Sequence, residues 1–157
     1  MGAAIASLGG RLSRALIVED NDADVHLTAT ALRDARIAND IHVVGNGEDA
    51  IAFLKREGAY VSALRPDLIL LDLNLPKKDG FQVLEELRAD ADLKTIPVIV
   101  VSGSDRQQDI ARAYDLNIAA YLVKPTNVDD YFNAIRAVKE LWFHSVASPP
   151  KATEASA

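Results

Sequence analysis

The run Leu68-Ile69-Leu70-Leu71, followed at once by Asp72, constrains this chain more than any other stretch. Four apolar side chains in succession, with no polar alternation, suit a strand covered on both faces, and such strands belong to parallel sheets. Leu75-Pro76 and Asp79-Gly80 then break the strand pattern, and Phe81, Val83, Leu84 and Leu87 continue at helical spacing. Asp72 is therefore predicted at the carboxyl end of a central strand, the rim at which open α/β sheets place their ligands.

Four further stretches follow the same grammar. Ala15-Leu16-Ile17-Val18 ends on Glu19 and Asp20, and Ile41-His42-Val43-Val44 ends on Gly45-Asn46-Gly47. Pro97-Val98-Ile99-Val100-Val101 closes on Ser102-Gly103-Ser104, and Ala119-Ala120-Tyr121-Leu122-Val123 closes on Lys124-Pro125. A helical pattern follows each run. The first, capped by Asn21 or Asp22, carries Val25, Leu27, Ala31 and Leu32, and the second carries Ala50, Ile51 and Leu54. The others cover about Phe81 to Arg88, Gln107 to Tyr114 and Val128 to Phe143. This alternation predicts right-handed crossovers and a parallel α/β sheet covered on both sides, read as doubly wound with strand order 2-1-3-4-5, one of the two common orders of such sheets.

With 157 residues and 49% hydrophobic content, the chain suits one domain with tails. Residues 1–13, rich in Gly, Ala and Ser, are expected to form a flexible arm, and residues 145–157 a disordered tail. A net charge of −6 without any Lys/Arg cluster argues against a nucleic-acid surface. The absence of cysteine excludes a disulfide framework and Cys-based metal sites. No secretory signal is legible, and no run approaches the roughly 20 apolar residues of a membrane span. A soluble cytoplasmic protein is expected.

If the order is 2-1-3-4-5, strands one and three are neighbours at the switch point, which sets Glu19 and Asp20 beside Asp72. Three carboxylates at one rim repel one another, and a hard divalent cation such as Mg²⁺ relieves that repulsion while keeping waters of its own. Strand four brings the Ser102 hydroxyl to the same rim and strand five the Lys124 ammonium. A carboxylate nucleophile, a metal, a hydroxyl donor and a fixed cation together suit phosphoryl transfer to an aspartate.

These motifs, Val18-Glu19-Asp20-Asn21, Leu71-Asp72-Leu73-Asn74-Leu75-Pro76, Asp79-Gly80, Val101-Ser102-Gly103 and Val123-Lys124-Pro125, resemble those of the receiver domain of two-component response regulators. The resemblance implies a flavodoxin-like (βα)5 receiver domain over residues 14–144 that accepts a phosphoryl group on Asp72 from a histidine kinase and is not an enzyme in its own right. It implies Mg²⁺ held by Asp20, Asp72 and the backbone carbonyl of Asn74, with Glu19 acting through water. It further implies that Ser102 and Lys124 bind the phosphoryl group, that Tyr121 moves inward behind Ser102, and that Lys124-Pro125 is a cis peptide. The sequence Asp72 to Gly80, the stand-alone architecture and the aromatic Leu141-Trp142-Phe143 are similar to small response regulators that partner bacterial phytochromes. Two other classes are weighed against this: a phosphorylation-independent adaptor on the same fold, and a metal-dependent hydrolase on a similar scaffold. The hydrolase would need a general acid or base and a substrate pocket that the sequence does not display.

On the last helix Val128, Phe132, Ile135, Val138 and Trp142 are expected to face the sheet. That leaves Tyr131, Ala134, Leu141 and Phe143 on a flanking face, read with the fourth helix and fifth strand as a homodimer or partner surface. Gly45-Asn46-Gly47 mimics the start of a dinucleotide fingerprint, but it follows the second strand, and Glu48 and Asp49 would repel a pyrophosphate; it is read as a turn opening a helix. Lys77 and Lys78 are read as a solvated pair. His26, His42 and His144 share no metal-ligand spacing.

Overall fold

The computed structural model describes residues 13–141, the side chain of Leu141 excepted. Five parallel strands, β1 (Ser13–Val18), β2 (Ala38–Val44), β3 (Leu68–Leu71), β4 (Val98–Ser102) and β5 (Ala120–Val123), lie in the order β2-β1-β3-β4-β5. Between and after them run α1 (Asp22–Asp34), α2 (Gly47–Lys55), α3 (Gly80–Ala89), α4 (Gln107–Asp115) and α5 (Val128–Leu141). This is the doubly wound arrangement that the sequence predicts, and β3 has the predicted bounds. Ser13, assigned in advance to the flexible arm, instead opens β1, fully buried and with its N–H donated to Ile37 O at 3.0 Å. The rest of the expected arm and tail lies outside the described residues.

The absence of polar alternation in the central strands has a direct structural cause. Leu16, Val18, Ile69 and Leu71 point into a layer filled from α2, α3 and α4, while Ala15, Ile17, Leu68 and Leu70 point into one filled from α1 and α5. Each fully buried leucine or isoleucine contributes about 1.5–3 kcal/mol of transfer free energy, so both layers favour the same register. β2, at the sheet's edge, is covered less: only its end residues Ala38 and Val44 are buried, and Ile41 is half-buried.

Local sequence sets the helix starts. Asn21 and Asn46 accept the backbone N–H groups of Asp24 and Asp49, and Asp79 with Gln82 forms a capping box at α3. Gly45-Asn46-Gly47 is thus a turn and helix start, as expected. Gly47 has a second reason for being glycine, because a Cβ there would collide with the Lys78 carbonyl. Two short 3₁₀ turns, Gly58–Tyr60 and Leu93–Thr95, were not anticipated, since single turns of that kind carry no periodic signal. Among the described residues no helix is long and apolar enough to cross a membrane.

The last helix departs from expectation. Tyr131, assigned to the outward face, is only 3% exposed, whereas Val128, assigned to the sheet, is 55% exposed. The buried stripe is Tyr131, Ile135 and Val138. Tyr131 can be buried because its hydroxyl has a partner: it lies 2.6 Å from Thr28 Oγ1, tying α5 to α1. Phe132 packs half-buried at the edge of that layer, and Ala134 is half-buried. The side chains of Leu141, Trp142, Phe143 and His144 lie outside the described residues.

Candidate functional site

Strand ends build the site. Backbone pairing continues past the strands, with Glu19 N–H donated to Val44 O and Asp72 N–H to Val18 O, each at 3.0 Å, so both carboxylates start from a fixed backbone. Carboxylate oxygens of Glu19, Asp20 and Asp72 lie within 4.8 Å of one another. Glu19 and Asp72 are each 6% exposed and Asp20 is open to solvent. Asp72 Oδ1 accepts the Asn74 N–H at 3.2 Å, which turns the chain directly after the end of β3. The loop ends at Gly80, where a Cβ would lie 2.5 Å from Leu73 Cα and 2.6 Å from the Asp72 carbonyl oxygen. Only glycine allows α3 to start this close to the strand end.

From the other side β4 delivers Ser102, a buried hydroxyl whose Oγ accepts the Ser104 N–H at 3.1 Å. The Lys124 N–H is donated to Ser102 O at 2.7 Å, and the ammonium of Lys124 reaches back across the rim. It contacts Glu19 Oε1 and Asp24 Oδ2 at 2.8 Å each and Asp72 Oδ2 at 3.6 Å. Tyr121 lies half-buried behind Ser102, with its hydroxyl donated to Ser104 O at 2.9 Å. No cis peptide occurs among the described residues, so Lys124-Pro125 is trans, contrary to expectation. Trans is the ordinary isomer, and Lys124 reaches the carboxylates with it. The donor set is all hard oxygen, as a small divalent cation requires, and contains no sulfur or imidazole.

The family model of the response regulator receiver domain matches residues 15–136. The chain belongs to that family. Response regulator Rcp1 of Synechocystis sp. is 40% identical over 134 residues, spanning 85% of this chain and 91% of Rcp1. The Mn²⁺-bound structure of Rcp1 superposes with a TM-score of 0.77 over 85% of this chain and 96% of that one. The phosphorylated cyanobacterial phytochrome response regulator RcpA is 43% identical, with a TM-score of 0.78 over 85% of this receiver and 95% of RcpA. A response regulator of red-light signalling in R. palustris is 34% identical, with a TM-score of 0.76 and coverage of 85% and 95%. This receiver is homologous to phytochrome response regulators, a family of signalling proteins rather than conventional enzymes.

The receiver's charges are unequally placed. Burial pushes the Glu19 carboxyl up to about 7; the Lys124 hydrogen bond opposes this, and the Asp72 carboxylate adds to it. Burial disfavours the Lys124 ammonium, but hydrogen bonds to Asp24 and Glu19 and the charge of Asp72 outweigh it, so that Lys124 is held above the ordinary lysine range. Glu19 thus bears the desolvation of the cluster, and Lys124 gains from three carboxylates at once.

A cleft of about 480 Å³ opens beside the site, lined by Asn74, Ser102, Ser104, Arg106 and Arg112 among others. Arg106 pairs with Asp109 at 3.2 Å, and Arg106 and Ser104 together hold the Asp109 carboxyl below its usual range. A second cavity, of about 260 Å³ and lined by Arg14, His42 and Phe53, lies at the opposite end of the strands and holds none of these groups. Lys78 is not simply solvated, since it is ion-paired with Glu86 on α3.

The structure brings Glu19, Asp20, Asp72 and Lys124 into one cluster, with Ser102 on the adjoining strand and Tyr121 linked to it through Ser104. It separates Tyr131 from the surface to which it had been assigned. One charged neighbour was missed in sequence reading. Asp24 shares Lys124 with Glu19, and its only local signal was its place three residues after the Asn21 cap.

Proposed function

We propose that this receiver accepts a phosphoryl group on Asp72 from the phosphohistidine of a phytochrome-type histidine kinase. The observation that carries the reading is the convergence of three carboxylates and one lysine ammonium at the rim between β1 and β3, with Lys124 Nζ 3.6 Å from Asp72 Oδ2. An Asp72 oxygen attacks phosphorus as the bond to the histidine nitrogen breaks; the electron pair of that bond returns to the ring nitrogen, and the ring, protonated on its other nitrogen, leaves as neutral imidazole. Lys124 offsets charge on the equatorial phosphoryl oxygens. A divalent cation, Mg²⁺ by its oxygen donors, would be held by Asp20, Asp72 and the Asn74 carbonyl, with Glu19 acting through water, and would supply further charge neutralisation there.

The Ser102 hydroxyl accepts from Ser104 and keeps its own proton free to donate to an incoming phosphoryl oxygen. Because Ser104 O also accepts from Tyr121, movement of Ser102 is felt at the surface of β5. The kinase assignment rests on the homologous phytochrome response regulators, and a cytoplasmic location accords with it. Exposed Tyr114, Val123 and Val128 on α4, β5 and α5 support a second copy docking on that side, in place of the Tyr131 face. Sedimentation equilibrium of the protein and its Val128→Glu variant tests this; a monomer in both overturns it.

Intact-mass analysis after incubation with acetyl phosphate and Mg²⁺ tests the acceptor. One phosphoryl adduct is expected, lost in Asp72→Asn and after chelation. No adduct together with no beryllofluoride binding would leave the adaptor reading in its place.

A further inference from the structure

We propose that Asp24 is a positioning residue for Lys124: its carboxylate draws the ammonium away from Asp72, favouring cation binding and restraining phosphoryl transfer. The inference rests on the acceptor role argued above and concerns a residue outside the motifs that define the site.

The geometry favours this role. Lys124 has three N–H donors. Two are taken at 2.8 Å by Glu19 and Asp24, while the nearest Asp72 oxygen stays at 3.6 Å. Asp24 is therefore a nearer partner than the acceptor itself. Its position is fixed by the backbone, because its N–H is bonded to the Asn21 cap at 2.9 Å and the first turn of α1 favours an anion there. One turn further on, Thr28 meets Tyr131 across a buried hydrogen bond and anchors the same stretch of α1 to α5. Asp24 thus presents a pre-placed charge rather than a mobile surface acid.

Two consequences follow with opposite signs. Without the Asp24 charge, Lys124 is free to close on Asp72, and the rim loses one negative charge. A divalent cation is then attracted less strongly. At saturating cation, however, an anionic phosphodonor meets a less negative site with a more available ammonium, and transfer quickens. A residue that merely supported the fold would damage both properties together.

Isothermal titration with Mg²⁺ and the initial rate of acetyl phosphate phosphorylation at saturating Mg²⁺ would be measured for the full chain, Asp24→Asn and Asp24→Glu. The cap uses only the Asp24 backbone N–H, so the asparagine variant keeps it. In Asp24→Asn the Mg²⁺ Kd is expected to rise by about three- to tenfold, the effect of one charge at a partly solvated site, and the saturated rate to rise with it. Asp24→Glu, which restores the charge, should return both values toward those of the native chain. An unchanged Kd, or a fall in both affinity and saturated rate, overturns the proposal. The titration needs no phosphorylation: a native chain that takes up no phosphoryl group defeats the acceptor reading, while the affinity change still decides the role of Asp24.

Discussion

Glu19 shows how one side chain can make the site's readiness depend on pH. Its carboxyl titrates near 7 in the folded chain against an ordinary value of 4.5. Between these values the folded state holds a proton that the unfolded chain has released, so stability falls as pH rises through this window and levels off above about 7. The difference sets a ceiling of about 3 kcal/mol. Denaturant titrations in chelator should show the native chain losing stability relative to Glu19→Gln from pH 4.5 to 7, with added Mg²⁺ flattening the decline. Parallel pH profiles for the two proteins would contradict the burial argument. At this scale the sequence was legible where chemistry sits at a strand end: Asp72, Glu19, Ser102 and Lys124 each follow a run of apolar residues. Asp24 was not legible, because its partner lies 100 residues away and nothing in the local pattern of α1 distinguishes it from an ordinary first-turn acid.

Between elements, two close approaches hold the site in shape. The first is α3 against the end of β3 at Gly80, where the nearest atoms are backbone and cannot swing aside. Gly80→Ala should destabilise the protein by about 1–3 kcal/mol through overpacking, and should slow phosphorylation because the displaced loop carries Asn74. Chemical denaturation and the acetyl phosphate assay read the two effects. The second is the α1–α5 contact. Tyr131→Phe leaves the buried Thr28 hydroxyl without its partner and should lower stability by about 1–2 kcal/mol, whereas Val128→Ala on the same helix should fall within about 0.5 kcal/mol of the native chain. The reading of α5 from sequence implied the reverse order. Two apolar stripes overlap on that helix, and hydropathy alone placed the tyrosine outward; only the Thr28 partner on another element explains its burial.

For the molecule as a whole, sheet order and layering were the most legible features, since continuous apolar runs cannot be satisfied except between two helical layers. The site inherits its form from that topology, and cation binding should therefore stabilise the entire domain. At a Mg²⁺ concentration a hundredfold above Kd the gain is about 2.7 kcal/mol, read as a rise in Tm that chelator reverses. No shift in Tm with Mg²⁺ would mean that the carboxylate cluster does not select a cation. The ion pair from Glu19 to Lys124 joins positions 105 residues apart. During synthesis Asp72 is thus made well before its counter-cation, and until β5 docks the rim is a set of acids without the lysine that balances them. The cluster is therefore complete only once β5 has docked, so on the proposed reading the capacity to take a phosphoryl group depends on the whole sheet and not on β1 and β3 alone.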